Sequence, residues 1–357
     1  MRTLLIFSFL ALCSAVMGQQ PLMPNIYTCH QSQQALTIDG QALEADWQKA
    51  PWTALFVDIE GDKKPLPYLD TKVKMLWDSS FFYFYAEMKE PHIWAKLTQR
   101  DAVIFRDNDF EIFIDPDGDT HNYYELEINA LNTVWDLLLT RAYRDGGHAI
   151  DHWDIHGLKT AIHLDGTLND PTDQDEGWSV EIAIPWEVLS EAARQKAPPK
   201  EGDSWRVNFS RVQWETAIVD GEYVKKKNPE SGKNLPENNW VWSPMRAIAM
   251  HEPEFWGLVR FTAKGEALGL NNALRYELLA KQLLYEVHRK QRDLHRKKSP
   301  YARNLNALGL SAYKIRDKAL QTKITINQAG YLVSISHPDF RITWLLDQTG
   351  RSWKLNP

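Results

Sequence analysis

Short runs of alternating apolar and polar residues fill the chain from position 35 to about 262. Runs of strand length, separated by clusters of Asp, Gly, Ser and Pro, occur at 72–77, 81–88, 110–114, 123–129, 134–141, 178–184 and 205–214. This alternation between turn residues is typical of strands that bury one face. It predicts an all-β main domain built as an antiparallel β-sandwich.

The pattern changes after position 262, where apolar residues recur at helix-like spacing. They are Leu270, Leu274, Leu278, Leu284 and Val287. This spacing predicts a long amphipathic helix over 265–298, and alternating runs at 323–326, 331–335 and 341–346 predict a small β hairpin appendix after it. The appendix, 263–357, is expected to pack on the main domain.

The end of the predicted helix is strongly basic. Residues 288–298 contain Arg289, Lys290, Arg292, Arg296, Lys297 and Lys298. Such residues complement the negative end of a helix, or they form a docking surface for an acidic protein partner. The sequence leaves both interpretations open.

The N-terminus has the form of a signal peptide. Arg2 precedes an apolar run at 4–12, and small residues lead to Gly18, which predicts cleavage of 1–18 and a mature main domain over 19–262. We therefore expect a secreted protein, or one of the periplasm or outer cell envelope. Lipoprotein anchoring at Cys13 is not expected, because Leu12 stands where that signal requires a small residue. The apolar run is too short for a transmembrane segment.

The charge, motifs and tryptophan content of the chain limit the classes of partner that it is expected to bind. The net charge of the 357 residues is −6, with both signs mixed along the chain, so no nucleic-acid partner is expected. No phosphate loop, dinucleotide fingerprint or nucleophile elbow is present. The 15 tryptophans include Trp94 and Trp242 in or beside predicted loops, where flat aromatic rings are suited to stacking on sugars.

Carboxylates cluster on two neighbouring predicted strands. The period of two puts Asp109 and Glu111 on one face of the first, and Glu125 and Glu127 on one face of the second. Adjacent pairing would bring these acids together. They would then contact saccharide hydroxyls, hold calcium, serve as the acid pair of a glycosidase or form a polar surface, and the sequence leaves these alternatives open.

A second acidic segment follows the first of these strands. Asp115, Asp117 and Asp119 alternate around Gly118, which resembles half of a calcium-binding loop. The same residues also form a simple tight turn. Calcium, as a structural ion, is the one cofactor that the sequence suggests.

Several segments resemble the carbohydrate-binding module family 9 domain, in the form of free-standing bacterial secreted proteins. In the family's order, and covering about 35 to 262, they are 38–40, 73–78, 81–85, 107–118, 123–129, 178–186, 205–211, 240–243 and 253–257. The resemblance implies an immunoglobulin-like or jelly-roll-like sandwich of the DOMON type that contains calcium and binds the ends of glycans.

The same resemblance implies a set of ligand-binding residues. In the family a sugar lies between two tryptophans; Phe105 takes the position of the first, and the second falls near Met250, with Trp242 a little upstream. Glu111 matches a sugar-contacting glutamate and Glu127 a sugar-contacting arginine. The residue pattern itself adds Asp109 and Trp94. The predicted ligand-binding residues are therefore Phe105, Asp109, Glu111, Glu127, Trp242 and Trp94.

The first functional hypothesis is a non-catalytic protein that recognises the ends of oligo- or polysaccharides and works beside enzymes of polysaccharide catabolism. A second is a glycoside hydrolase that uses paired carboxylates of the 107–127 cluster. A third is an envelope interaction protein that has lost sugar binding and contacts a protein through the basic helix at 265–298.

Overall fold

A computed structural model describes residues 21–194, 197–266 and 268–356. The predicted signal peptide and Cys13 lie outside these residues. The described strands are β1 (Ile26–Gln31), β2 (Val57–Asp58), β3 (Thr71–Trp77), β4 (Phe81–Lys89), β5 (Asp109–Asp115), β6 (His121–Asn129), β7 (Val134–Arg141), β8 (Ala149–Ile150), β9 (Lys159–Asp165), β10 (Gly177–Pro185), β11 (Ser204–Gln213), β12 (Thr216–Val219), β13 (Glu222–Lys225), β14 (Asn238–Val241), β15 (Gly257–Thr262), β16 (Lys314–Ile315), β17 (Lys318–Ala319), β18 (Gln321–Asn327), β19 (Gly330–His337), β20 (Phe340–Asp347) and β21 (Ser352–Leu355).

The described helices are few. They are α1 (Ala45–Lys49), α2 (Trp186–Leu189) and α3 (Asn272–Arg296), with single 3-10 turns at Gly61–Lys63, Ile104–Arg106, Tyr143–Asp145, Pro253–Phe255 and Asn306–Leu308. Among them, none is both long and apolar enough to cross a membrane.

The main sheet follows the order β8-β7-β6-β5-β11-β15-β1-β3-β4-β10-β9. It folds over itself, so that side chains from its two halves share one core. The ring of Phe209 on β11 has its centroid 5.8 Å from the rings of both Phe84 on β4 and Phe110 on β5. The predicted all-β sandwich is confirmed.

Most strand pairs are antiparallel, as predicted, but β1 is not. It lies parallel to both of its neighbours, β15 and β3. The backbone of β1 therefore joins the two halves of the sheet. The strands that pair with β1 lie far from it in the chain, so no local sequence pattern predicts this pairing.

The C-terminal segment forms its own α+β unit. Helix α3 packs Leu279, Leu283 and Val287 against Val333 and Ile335 of the antiparallel sheet β18-β19-β20-β21. The predicted helix at 265–298 is longer than α3 at both ends. At the N-terminal end, the side chain of Asn271 caps the helix by accepting the backbone N–H of Leu274 at 2.9 Å. The separate core agrees with a boundary near 262, which stays a prediction.

This unit docks on the sandwich through charged side chains. Arg289 of α3 donates to Glu254 at 2.6 Å, and Glu254 also accepts from Arg144 at 2.9 Å. His288 and Arg292 of α3 lie 2.9 and 3.1 Å from the carboxylate of Asp145. Part of the basic helix end therefore binds acids of the chain's own main domain.

The docking contact should weaken in acid. Burial raises the pKa of Glu254, but the guanidinium groups of Arg144 and Arg289 outweigh it, so that the pKa lies below its usual value. A carboxylate whose pKa is lowered on folding stabilises the fold above its unfolded pKa, near 4, and that stabilisation is lost as the pH falls through the folded value. We expect the melting temperature to fall more steeply below about pH 4 in the wild type than in Glu254→Gln. Parallel melting curves of the two proteins between pH 7 and pH 3 would contradict this.

Candidate functional site

The outer surface of β5 and β6 carries a group of acids, which we call the acidic face: Asp109, Glu111, Glu125 and Glu127. Alternation puts Phe110 and Ile112 of β5 into the core of the sandwich, so that the neighbouring acids point to the opposite side. All four acids are nevertheless buried, with between 0% and 6% of each residue exposed. The sequence predicted their common location correctly.

Strand register aligns four polar side chains in one row across four strands. Glu111 lies directly opposite Ser210 of β11 on one side and Glu127 of β6 on the other, and Glu127 lies opposite Trp135 of β7. Like charges directly opposite each other destabilise a sheet. The row is therefore an arrangement that packing alone does not favour.

Electrostatics of the acidic face favour neutral carboxyl groups. Burial raises the pKa of Glu111 to about 7. For Asp109 and Glu127, burial and then the charge of Glu111 raise the pKa well above its usual value, and the same two causes act on Glu125. Groups perturbed in this way are found at functional sites more often than elsewhere.

One end of the acidic face is bounded by aromatic side chains. The backbone N–H of Phe105 donates to Glu127 at 2.8 Å, and the indole N–H of Trp214 donates to the carbonyl of Phe105 at 2.8 Å. Lys225 lies over the Trp214 ring, 3.3 Å from its centroid. Phe105 is 36% exposed, so its ring is available to a ligand.

The other end is bounded by Tyr143 and His251. The two rings meet edge to face with centroids 4.5 Å apart, and Tyr143 is 48% exposed. His251 accepts or donates a hydrogen bond with Tyr123 at 3.0 Å and lies 4.0 Å from Glu125. Burial lowers the pKa of His251 to about 4, so that its ring is neutral at pH 7.

Two of the predicted ligand-binding tryptophans lie elsewhere. Trp242 is 1% exposed and packs in the sandwich core with Phe209, at a ring distance of 5.8 Å. Trp94 is also buried, at 5% exposure, and its indole N–H has no hydrogen-bond partner among the described residues. Neither ring is offered to solvent. Both were predicted from their nearness to loops, which does not determine burial.

The predicted calcium loop is satisfied by protein groups. Asp115 accepts the backbone N–H groups of Gly118 and Thr120 at 2.9 and 2.8 Å. Asp119 lies 2.7 Å from Arg194 and 2.9 Å from Arg351. Although oxygens of Asp115, Asp117 and Asp119 are close enough to share an ion, two guanidinium groups already pair with the carboxylate of Asp119, so the residues fit a divalent cation poorly.

Sequence reasoning missed Ser210, Trp135, Tyr143 and His251 at the acidic face. Ser210 and His251 come from segments distant from residues 105–127, whereas Trp135 lies on the next strand, β7, and Tyr143 follows that strand. Only the strand register and the loop packing reveal that all four meet at the acidic face. One signal was available. Asn208 and Ser210 alternate with the core residue Phe209 along β11, and polar residues in that pattern mark an outward face.

No curated protein sequence matches this chain. A candidate carbohydrate-binding protein from Bacteroides uniformis is 16% identical, with a TM-score of 0.49, covering 67% of this chain and 100% of its own. A family 9 carbohydrate-binding module from Caldicellulosiruptor kristjanssonii, solved with cellotriose and with glucose, is 15% identical in both structures, with TM-scores of 0.39 and 0.41. The two structures cover 69% and 68% of this chain and 100% of their own.

The family resemblance is found in the amino-acid sequence itself. Residues 38–209 match the model of the family described as carbohydrate family 9 binding domain-like. The match spans β2 to β10 and most of β11, and thus contains the whole acidic face. Residues 38–209 are therefore similar in sequence to the carbohydrate family 9 binding domain-like family, the family that the sequence motifs predicted.

Proposed function

We propose that this chain is a secreted, non-catalytic protein that binds the ends of oligo- or polysaccharides at the acidic face and acts in polysaccharide catabolism. The observation that carries the proposal is that a segment of the family 9 binding type places a row of hydrogen-bonding groups between exposed aromatic rings. Pockets for sugars combine these two kinds of group.

The chemistry of the rim is suited to a sugar ring. The C–H faces of a pyranose would stack on Phe105 or Trp214 at one end and on Tyr143 at the other. Hydroxyl groups would donate to the carboxyl oxygens of Glu111 and Glu127 that lie between them. Since both acids accept few hydrogen bonds within the chain, lone pairs remain for such donors.

The decisive residue for a test is Trp214. We expect Trp214→Ala to weaken the best-bound saccharide of a glycan panel about tenfold, equivalent to about 1.4 kcal/mol, because it removes a stacking ring and the hydrogen bond to Phe105. Affinity is measured by calorimetry with the full chain, and release of reducing sugar is followed in the same samples.

Trp153 provides a matched control. It is also half-buried, also donates through its indole N–H, to Glu191 at 2.9 Å, and stacks on Tyr124, which points to the core side of β6. Trp153→Ala should keep saccharide affinity. No saccharide bound by the wild type, or equal losses in both variants, would refute the proposed site, and reducing-sugar release would favour the hydrolase hypothesis.

A further inference from the structure

A cavity of about 230 Å³ lies where helix α3 begins, and its lining includes Ser204 of β11, Arg260 of β15 and Trp344 of β20. Arg260 lies directly opposite Ser204 in the register of β15 with β11. The neighbours of Arg260, Val259 and Phe261, enter the sandwich core, so Arg260 is on the outer face of β15. Pockets for drug-sized ligands usually measure roughly 300–1,000 Å³. This smaller cavity is suited to an ion or to a single substituent of a larger ligand.

Arg260 is a buried cation without an acidic partner. The residue is 9% exposed, and no acid in the described part of the chain forms an ion pair with it. Its Nη1 atom donates to the carbonyl of Gly269 at 2.7 Å, but its Nε atom is buried and has no acceptor among the described residues. Arg211, which is also buried, lies 3.1 Å from Glu90. Because buried charges are normally paired, Arg260 requires a counter-charge from elsewhere.

Trp344 contributes a second unpartnered donor to the same cavity. It is 5% exposed, and its indole N–H has no hydrogen-bond partner within residues 21–194, 197–266 and 268–356. Lys281 lies over its ring, with Nζ 4.7 Å from the centroid. Buried polar atoms in native proteins are normally paired with protein, water or a bound group. Since both unpartnered groups are N–H donors, they favour a ligand rich in acceptor oxygens.

The first turn of α3 adds backbone donors. The side chain of Asn271 accepts the N–H of Leu274, and its carbonyl accepts the N–H of Arg275, each at 2.9 Å. The N–H groups of Asn272 and Ala273 have no acceptor within the helix. Ala273 lines the cavity, and the first turn contains no acidic residue. The positive end of the dipole of this 25-residue helix therefore faces the same space without an anion from its own turn.

We propose that this cavity binds one small oxyanion through the guanidinium of Arg260, the indole N–H of Trp344 and the first-turn backbone of α3. The chemistry is shared by a free sulfate or phosphate ion and by the carboxylate of a uronic-acid sugar. Glu277 also lines the cavity, but its carboxylate lies 3.4 Å from Lys281, which offsets its charge. Arg260 and Trp344 lie outside residues 38–209, and the site does not depend on the proposed saccharide function.

The test titrates sodium sulfate and, separately, sodium glucuronate into the full chain by calorimetry in a buffer of low ionic strength. We expect one oxyanion per chain. Arg260→Gln should bind at least about tenfold more weakly, because it removes a charge-assisted hydrogen bond. Trp344→Phe, which keeps a ring and loses the N–H, should bind about threefold to tenfold more weakly. Binding of sulfate alone would identify a free ion as the ligand, and tighter binding of glucuronate would identify an acidic sugar.

Two variants separate this site from general attraction by positive charge. Arg275→Gln removes an exposed arginine from the start of the same helix, and it should bind both anions as the wild type does. Glu277→Gln should bind them at least as tightly as the wild type, since it removes the acid of the cavity. Equal losses in Arg275→Gln and Arg260→Gln, or a marked loss in Glu277→Gln, would overturn the inference.

Two measurements keep a failure of folding apart from a loss of binding. Without added anion, Arg260→Gln should melt at or above the temperature of the wild type, because it removes an unpaired buried charge. Its affinity for the neutral saccharide that is used to test Trp214→Ala should not change, so this inference and the proposed function can fail separately. Absence of binding of both anions by the wild type, or unchanged affinity in a folded Arg260→Gln, would overturn the inference.

Discussion

Replacing Trp242 by alanine should lower the free energy of unfolding by about 3–5 kcal/mol, the usual cost of deleting a buried aromatic side chain. Trp242 is 1% exposed, and its ring lies 5.8 Å from Phe209 and 6.5 Å from Tyr27. The β-strand backbone at Gly257 closes against it: a Cβ atom there would lie 2.2 Å from the indole ring. The loss is measured by urea denaturation of the full chain.

Substitutions of Gly257 and Trp214 serve as comparisons for the loss of stability expected in Trp242→Ala. Gly257→Ala should also destabilise the protein, by about 1–3 kcal/mol, because the added methyl group displaces the indole of Trp242. Trp214→Ala, in contrast, should cost about 1 kcal/mol or less, since that ring is only half-buried, and its effect should appear in saccharide affinity. A Trp242→Ala protein with wild-type stability and lost saccharide binding would restore the ligand-contacting role predicted from the sequence.

The fold was largely predictable because the strands repeat every two residues. Along β5, Phe110, Ile112 and Ile114 enter the core while Asp109 and Glu111 face outward, and this alternation can be read from the chain alone. The parallel pairing of β1 with β15 could not be read in the same way. It depends on which distant segments meet, and neither local propensity nor periodicity encodes that choice.

The candidate site was predictable in part for the same reason. Alternation put Glu111 and Glu127 each on an outward face, and the family motif then suggested ligand contact. That Glu111 lies directly opposite Glu127, with Ser210 on its other side, follows only from the register of three strands. Trp242, which the sequence predicted to contact a ligand, is instead buried. It directly follows β14, and a residue beside a strand end can still be covered by a neighbouring strand such as β15.

Replacing Arg144 by methionine should cost about 3–5 kcal/mol, because it removes the cation shared by several buried acids. Its side chain is 14% exposed and lies 2.9 Å from Glu254, 3.2 Å from Asp145 and 3.5 Å from Glu252. The side chains of Glu254 and Asp145 are 1% and 4% exposed. Water therefore cannot replace the lost guanidinium, and the carboxylates are left with fewer positive partners. Thermal and urea unfolding at pH 7 measure the effect.

Two variants separate a buried network from a general effect of losing an arginine. Arg296→Met removes a guanidinium that is 73% exposed near the end of α3, and it should change stability by no more than about 0.5 kcal/mol. Combining Arg144→Met with Glu254→Gln should cost less than the sum of the two single changes, because the second change removes one of the charges that the first leaves unpaired. Strictly additive losses would mean that Arg144 stabilises the docked helix through packing of its alkyl stem rather than through Glu254.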